Sequence, residues 1–475
     1  MLITTSLTSY FIALFLVILC YYYFKCFYYS YWERRNIPNL QPYIPGPKTH
    51  LGLQLKHLYD VMKEKKWKHG GFYQQLSPVY IISDLNYVKN VMTRDFYYFP
   101  HRGLYFNEKS DPLSAHIFNT SGPKWKHMRS KLNQIFTSSK LKSMFPILLD
   151  CEKNLVKNME KHKSVDIKKV LDEFIGDIIE KCVFGFDCKI FRQFQRKILK
   201  RSRSRRLKGF IIDNFPKLAK IFDIVLVPRD ASIFFRKLIR DTVDFRKKNS
   251  VTKPDFLQVL INLELKSEIT IEEIAAQCFI FFIAGMSTSP TAMTFALYEL
   301  ARHQDIQEKV RQEIGKFDLT YDSLQEMRFL DQVFDEALRM YPPAAYLNRK
   351  CETDYEIPGT GIVLEKGTIV TVPVMGIHYD WDYYPNPENF DPDRFSEENR
   401  RFRPNFAFLP FGEGPRMCIG MRFGLIQSKL GLAFLLKRYK FTVSAKTQEP
   451  LKMKPNSLVL SAEGEIWLDV TEIKI

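Results

Sequence analysis

The stretch Phe411-Gly-Glu-Gly-Pro-Arg-Met-Cys418-Ile-Gly420 places one cysteine in a glycine-rich loop just before a segment of helical periodicity. From Ile419 to about Tyr439, Phe423, Ile426, Leu430, Phe434 and Leu435 recur at helical intervals, which predicts a helix with Cys418 at its amino end. Unpaired backbone N–H groups at such an end stabilise negative charge, so this thiol is expected as a thiolate. Gly412, Gly414 and Gly420 carry no Cβ and let a flat group approach the loop. Arg416, two residues earlier, can meet an anionic edge of that group. A lone cysteine is more often a small buried hydrophobe, which is the reading for the other seven.

Working outward, Ile271 to about Arg302 is hydrophobic nearly all round at Cys278-Phe-Ile-Phe-Phe-Ile283, which predicts one long buried helix. In its middle, Ala284-Gly-Met-Ser-Thr-Ser-Pro290 leaves room beside a cofactor, and Pro290 removes the hydrogen bond to the Met286 carbonyl. A kinked core helix is the plainer reading. Gly285-Met-Ser-Thr-Ser289 lacks the last glycine of a nucleophile elbow. Trp125 and Arg129 stand four apart, where both could reach one carboxylate, although a packed indole and a solvated charge are the commoner meaning. Leu324 to Tyr341 predicts a helix stopped by Pro342 and Pro343. Glu336 and Arg339 lie on it, but Glu299/Arg302 and Glu308/Arg311 share their spacing, so spacing does not single them out.

Val79-Tyr-Ile-Ile-Ser83 and Ile369-Val-Thr-Val-Pro-Val374 read as short strands, and most of the rest is helical, so the fold class is mainly α with a small β portion. No internal repeat is evident. Lys189 to Lys208 holds ten basic residues and no acidic one, which usually means a solvated face. The following Phe210 to Phe222 mixes apolar residues with lysines, as a membrane-dipping segment would.

The first charged side chain is Lys25, and Leu2 to Phe24 is apolar enough for a helix of ~20 residues to cross a bilayer. A cleaved signal peptide would carry an early positive charge and a shorter apolar run. Here the run ends in Tyr21, Tyr22, Tyr23, Phe24, Tyr28, Tyr29 and Trp32, with Lys25, Arg34 and Arg35 beside them. Interfacial aromatics and positive charge on that side predict a retained anchor with a cytosolic body. Residues 1–32 are therefore expected as membrane anchor, 33–47 as a stiff proline-rich hinge and 48–475 as one catalytic domain. A cytosolic body keeps its eight cysteines reduced. The net charge of +17 comes with no nucleic-acid motif, so an anionic membrane or acidic protein is the expected partner, not nucleic acid.

The cysteine stretch fits F-x-x-G-x-R-x-C-x-G at every fixed position and resembles the haem-binding signature of the cytochrome P-450 family. Met421 to Trp467 resembles its microsomal, xenobiotic-metabolising insect branch. Trp125-x-x-x-Arg129 is similar to that family's propionate-binding helix, and by position Arg102, Arg349 and Arg416 are further propionate candidates. Ala284 to Ser289 is similar to its oxygen-binding motif with Thr288 in place, but Ser287 stands where relatives carry an acid. Glu336-x-x-Arg339-x-Tyr-Pro-Pro and Phe390-Asp-Pro-Asp-Arg394-Phe395 resemble its structural Glu-Arg-Arg set, with Asp393 where glutamate is usual.

The resemblance implies a cytochrome P-450 fold behind one transmembrane helix, haem b with Cys418 as axial ligand to the iron, and a monooxygenase in the endoplasmic reticulum membrane (microsomal). Electrons would come from NADPH through a flavoprotein reductase, with cytochrome b5 as an auxiliary donor. One oxygen atom of O2 would enter small lipophilic substrates, in xenobiotic or hormone metabolism. Phe118, Phe281, Ala284 and Ala344 are expected at the substrate pocket, and Lys124, Lys126, Lys131, Arg422 and Lys429 at the reductase. An oxygen-independent haem-thiolate isomerase or dehydratase would not need Thr288. A non-catalytic haem or lipophile binder is the third reading.

Overall fold

The computed structural model describes residues 2–23, 30–40, 49–160, 162–185 and 203–473. Helices make most of it. In chain order the strands are β1 (His69–Gln74), β2 (Ser77–Ile82), β3 (Ser164–Asp166), β4 (Leu347–Lys350), β5 (Tyr355–Glu356), β6 (Val363–Leu364), β7 (Ile369–Val372), β8 (Tyr439–Val443) and β9 (Trp467–Glu472). They form sheets ordered β1-β2-β7-β4, β3-β9-β8 and β5-β6. The two strands read from sequence, β2 and β7, are parallel neighbours with Tyr80 opposite Val370, and β4 sets Arg349 opposite the same valine.

The larger core is built on the central helix Ile271–Arg302, which has the bounds expected from sequence. Thr270 and Glu273 start it with a reciprocal capping box. Helices Ile167–Ile179, Arg229–Lys248, Arg328–Met340 and Met421–Arg438 pack around it. Pro290 does not interrupt it. The hydroxyls of Ser287, Thr288, Thr291 and Thr294 each donate to the carbonyl four residues back, which keeps these polar groups satisfied inside the apolar stack.

The helix expected from Leu324 to Tyr341 is two helices, Ser323–Glu326 and Arg328–Met340, broken at Met327. The Glu313 carboxylate accepts the Phe329 and Leu330 N–H groups at 2.8 and 2.9 Å, starting the second helix afresh.

At the N-terminus, Leu2–Tyr23 is an apolar helix whose Leu14 to Leu19 side chains are exposed. Among the described residues the one helix long and apolar enough to cross a membrane is Ile271–Arg302, and it is mostly buried in the protein. Trp32, expected among the interfacial aromatics, is 1% exposed and donates its indole N–H to Phe72 O at 3.1 Å. Its ring lies where a Cβ on Gly71 would come within 2.2 Å, so only glycine admits it. Residues 37–40 then run beside β1, with hydrogen bonds between Leu40 N and Gly71 O and between Gly71 N and Pro38 O. This part of the proline-rich hinge is docked on the sheet, and 41–47 lie outside the described residues. So does most of the basic run after Lys189; from Arg203 the chain is helical to Asn214.

Candidate functional site

Cys418 follows a 3-10 turn, Gly414–Arg416, and precedes the helix Met421–Arg438, whose face Phe423, Ile426, Leu430, Phe434 and Leu435 is buried as expected. Its N–H donates to Phe411 O at 2.9 Å, which closes the loop on itself. Gly414 has a φ of +72°, and a Cβ there would lie 2.0 Å from Met92 O. The Cys418 side chain is accessible even though protein surrounds it deeply, so it looks onto an internal space. Burial pushes this thiol up, and the Gly420 N–H, Arg102 and Arg129 only partly oppose that. The expected thiolate therefore does not follow from the helix end alone. A bound metal cation would supply the missing stabilisation.

The central helix carries an accessible strip of its own. Ala284 is exposed, and Ile280, Ile283, Ser287 and Thr288 are partly so, in a helix otherwise largely buried from Ile274 to Ala301. This strip is the cavity face. Ser287 Oγ donates to Ile283 O at 2.8 Å and Thr288 Oγ1 to Ala284 O at 2.9 Å, which leaves their lone pairs toward the space. Ala344 is exposed between buried Pro343 and Ala345, as a pocket residue should be, and Phe118 is 44% exposed. Phe281 is different. Its ring packs at 5.6 Å from Phe136 and 5.9 Å from Phe256 in the core, a hundred degrees round the helix from Ile280. Ile280 and Ile283 take its place, and their spacing from Ala284 and Ser287 was the signal for them.

Four guanidinium groups gather at the edge of the space. Burial pushes Arg102 down to about 9, Arg349 to about 10 and Arg416 to about 8, and the positive neighbours add to the fall for Arg102 and Arg416. Arg129 is also lowered by burial. No salt bridge engages any of the four among the described residues, and Arg349 Nε is buried with no hydrogen-bond partner there. Such a group of buried cations calls for anions. A ligand carrying carboxylates on one edge would neutralise them. Arg416 is more committed than expected. Its Nε, Nη1 and Nη2 donate to the carbonyls of Pro100, Ile117 and Thr120, and it lies 3.9 Å from the Trp125 ring centroid. Arg102 donates to Phe118 O and Arg416 O and covers the Phe118 ring at 4.3 Å.

Glu336 and Arg339 form a bidentate pair at 2.7 and 2.8 Å, both fully buried, and Arg339 also donates to His378 O and Pro387 O. Arg394 Nε comes within 3.4 Å of Glu336 Oε1 from the 3-10 turn Pro392–Phe395. The basic face expected for a redox partner is smaller than the sequence implied. Lys429 is buried, bonded to Leu324 O and paired with Asp331 at 2.7 Å, while Lys131 is paired with Glu268 and Lys124 with Glu108 and Glu273. Lys126 and Arg422 stay exposed.

Comparison with known proteins shows the family. The family model described as Cytochrome P450 matches residues 42–468. The chain is 39% identical to "Probable cytochrome P450 6a23" of Drosophila melanogaster, covering 94% of this chain and 95% of the relative. It is 37% identical to "Cytochrome P450 6a2" of Drosophila melanogaster, over 96% and 97%, and 37% identical to "Cytochrome P450 6A1" of Musca domestica, over 95% and 96%. The chain belongs to the cytochrome P450 family of haem b monooxygenases, beside its insect members.

Proposed function

We propose that this enzyme is anchored in the endoplasmic reticulum membrane and oxygenates lipophilic molecules, with Cys418 as the axial ligand of its haem iron. The observation that carries this reading is the accessible Cys418 with the guanidinium groups of Arg102 and Arg129 near it, no salt bridge engaging either among the described residues. When bound, haem supplies reductive activation of dioxygen, and a thiolate ligand favours O–O cleavage. Arg102, Arg129 and Arg349, with the Trp125 indole, hold the propionates, and the N–H groups that Arg416 has left can join them. Thr288 and Ser287, whose hydroxyl oxygens keep free lone pairs, would orient water on the cavity face of the helix. Since Ser287 cannot hold the charge of the usual acid, proton delivery rests on Thr288 and water. Ile280, Ile283, Ala284, Ala344 and Phe118 give the pocket an apolar lining.

Residues 1–32 serve as the anchor and 33–47 as its link to the catalytic domain, 48–475. Exposed Leu207, Phe210, Phe215, Leu218, Ile221 and Phe222 support a second membrane contact. Electrons from NADPH arrive through a flavoprotein reductase docking near Lys126 and Arg422, with cytochrome b5 as auxiliary donor. Xenobiotic clearance is the favoured role, by likeness to the insect branch. The test is the reduced carbon-monoxide spectrum. The wild type should give the red-shifted Soret band of a thiolate-ligated haem and Cys418→Ala should lose it. Its retention in the variant would overturn the assignment.

A further inference from the structure

The helix Met421–Arg438, with Cys418 just ahead of it, passes the central helix at close range, because it turns glycines toward it. A Cβ on Gly431 would lie 2.5 Å from Met293 Cε, and one on Gly424 would lie 3.8 Å from Ser289 Oγ. Gly424, Gln427 and Gly431 follow one another at intervals of three and four, so they share one face of their helix, as Ser289 and Met293 share one face of theirs. Between the two glycines, Gln427 is buried and donates from Nε2 to Ser289 Oγ, also buried, at 2.7 Å. Among the described residues this is the one side-chain hydrogen bond that joins the two helices. Gln427 Oε1 is buried with no hydrogen-bond partner there, so the amide holds the central helix by that single bond.

Ser289 sits where the central helix lacks a bond of its own. Pro290 has no N–H to give the Met286 carbonyl, so the turn 286–290 is held by one ladder bond fewer than a continuous helix. The hydroxyls of Ser287, Thr288, Thr291 and Thr294 all turn to carbonyls of their own helix and add nothing across the crossing. Ser289 directly follows Thr288, and it points into the protein where Ser287 and Thr288 are partly accessible.

We propose that Gln427 is a positioning residue for the oxygenation reaction, tying the turn that carries Ser287 and Thr288, through Ser289, to the helix behind Cys418. Cys418 and Thr288 are then both referred to one element: the first precedes it and the second is fastened to it one residue away. A turn short of a ladder bond drifts unless something outside holds it, and a small drift of a proton-handling hydroxyl is costly. Gln427 touches no reacting atom. This rests on the reading of Thr288 as the residue on which proton delivery depends.

The experiment uses the full-length holoenzyme in membranes, with the thiolate-type carbon-monoxide band as the check that each variant is folded and loaded. Gln427→Met keeps the length of the side chain and removes both of its polar atoms. In this variant, amide hydrogen exchange across 284–291 should quicken by about fivefold, the factor that one hydrogen bond of ordinary strength is worth, while exchange across 328–340 stays as in the wild type. With 7-alkoxycoumarins as lipophilic substrates, product per NADPH should fall by about the same factor and peroxide should rise. Ser289→Ala should do the same, and the double variant should be no worse than either single one, since both changes remove one bond. Wild-type exchange or wild-type coupling in the single variants, or losses that add up in the double, would overturn the tie. If Gln427→Met does not show the band, Ser289→Ala decides alone on the same readings. Full coupling in Thr288→Ala would instead overturn the proton-delivery reading, and the role of Gln427 with it, whereas uncoupling by Thr288→Ala without any effect of Gln427→Met or Ser289→Ala removes the tie alone.

Discussion

Ser287 and Thr288 donate their hydroxyl protons to their own helix, so neither hands a proton to the cavity without first breaking that bond. An acid at 287 would hold a charge and draw water in; a serine does not. Thr288→Ala is therefore expected to keep consuming NADPH while product per NADPH falls by at least about tenfold and peroxide rises, since positioned proton transfer contributes that much or more. Ser287→Glu should raise coupling above that of the wild type. Stoichiometry of product, peroxide and NADPH checks both, and full coupling in Thr288→Ala would mean protons arrive by another route. At this scale the sequence was legible where a residue's place follows from its own neighbours, as with Cys418 just before the helix Met421–Arg438. Phe281 was not, because one turn of a helix that is apolar all round looks the same from every side, and only the packing of Phe136 and Phe256 tells core from cavity.

Among elements, three Glu-x-x-Arg pairs of equal spacing end in different surroundings. Glu308 and Arg311 meet at the surface, Arg302 is half-exposed 3.3 Å from Glu299, and Glu336 with Arg339 is sealed inside between the helix Arg328–Met340 and the segment that carries His378 and Pro387. Only the proline-bearing context after Arg339 hinted at this. A buried ion pair stripped of one partner leaves an uncompensated charge, so Glu336→Gln should cost about 3–5 kcal/mol, and Glu308→Gln less than about 1 kcal/mol. Denaturant midpoints of the haem-bound proteins measure the difference. The break at Met327 was invisible for a related reason, as the Glu313 that caps the next helix comes from another element.

For the whole molecule, a net charge of +17 attracts acidic partners from a distance, but most lysines thought to receive them near the cysteine loop are engaged at home. Lys126→Glu with Arg422→Glu should slow reductase association by about tenfold at low salt and much less at high salt. Surface plasmon resonance across a salt series reads this, and an unchanged low-salt rate would move the docking face elsewhere. Basic residues are easily counted in a sequence, whereas an acid such as Asp331 that neutralises Lys429 has to be brought to it by folding.

Trp32 also limits the enzyme's reach. Between Tyr23, the last residue of the apolar helix, and an indole wedged over Gly71 there are nine residue steps, which even fully stretched cover no more than about 32 Å. With that helix in a bilayer, as proposed above, the body would stay within this distance of the lipid. Cutting the chain at Lys25 should release a folded domain, while a cut at Gly46 takes the indole with it and leaves a hole beside Phe72 and Tyr80.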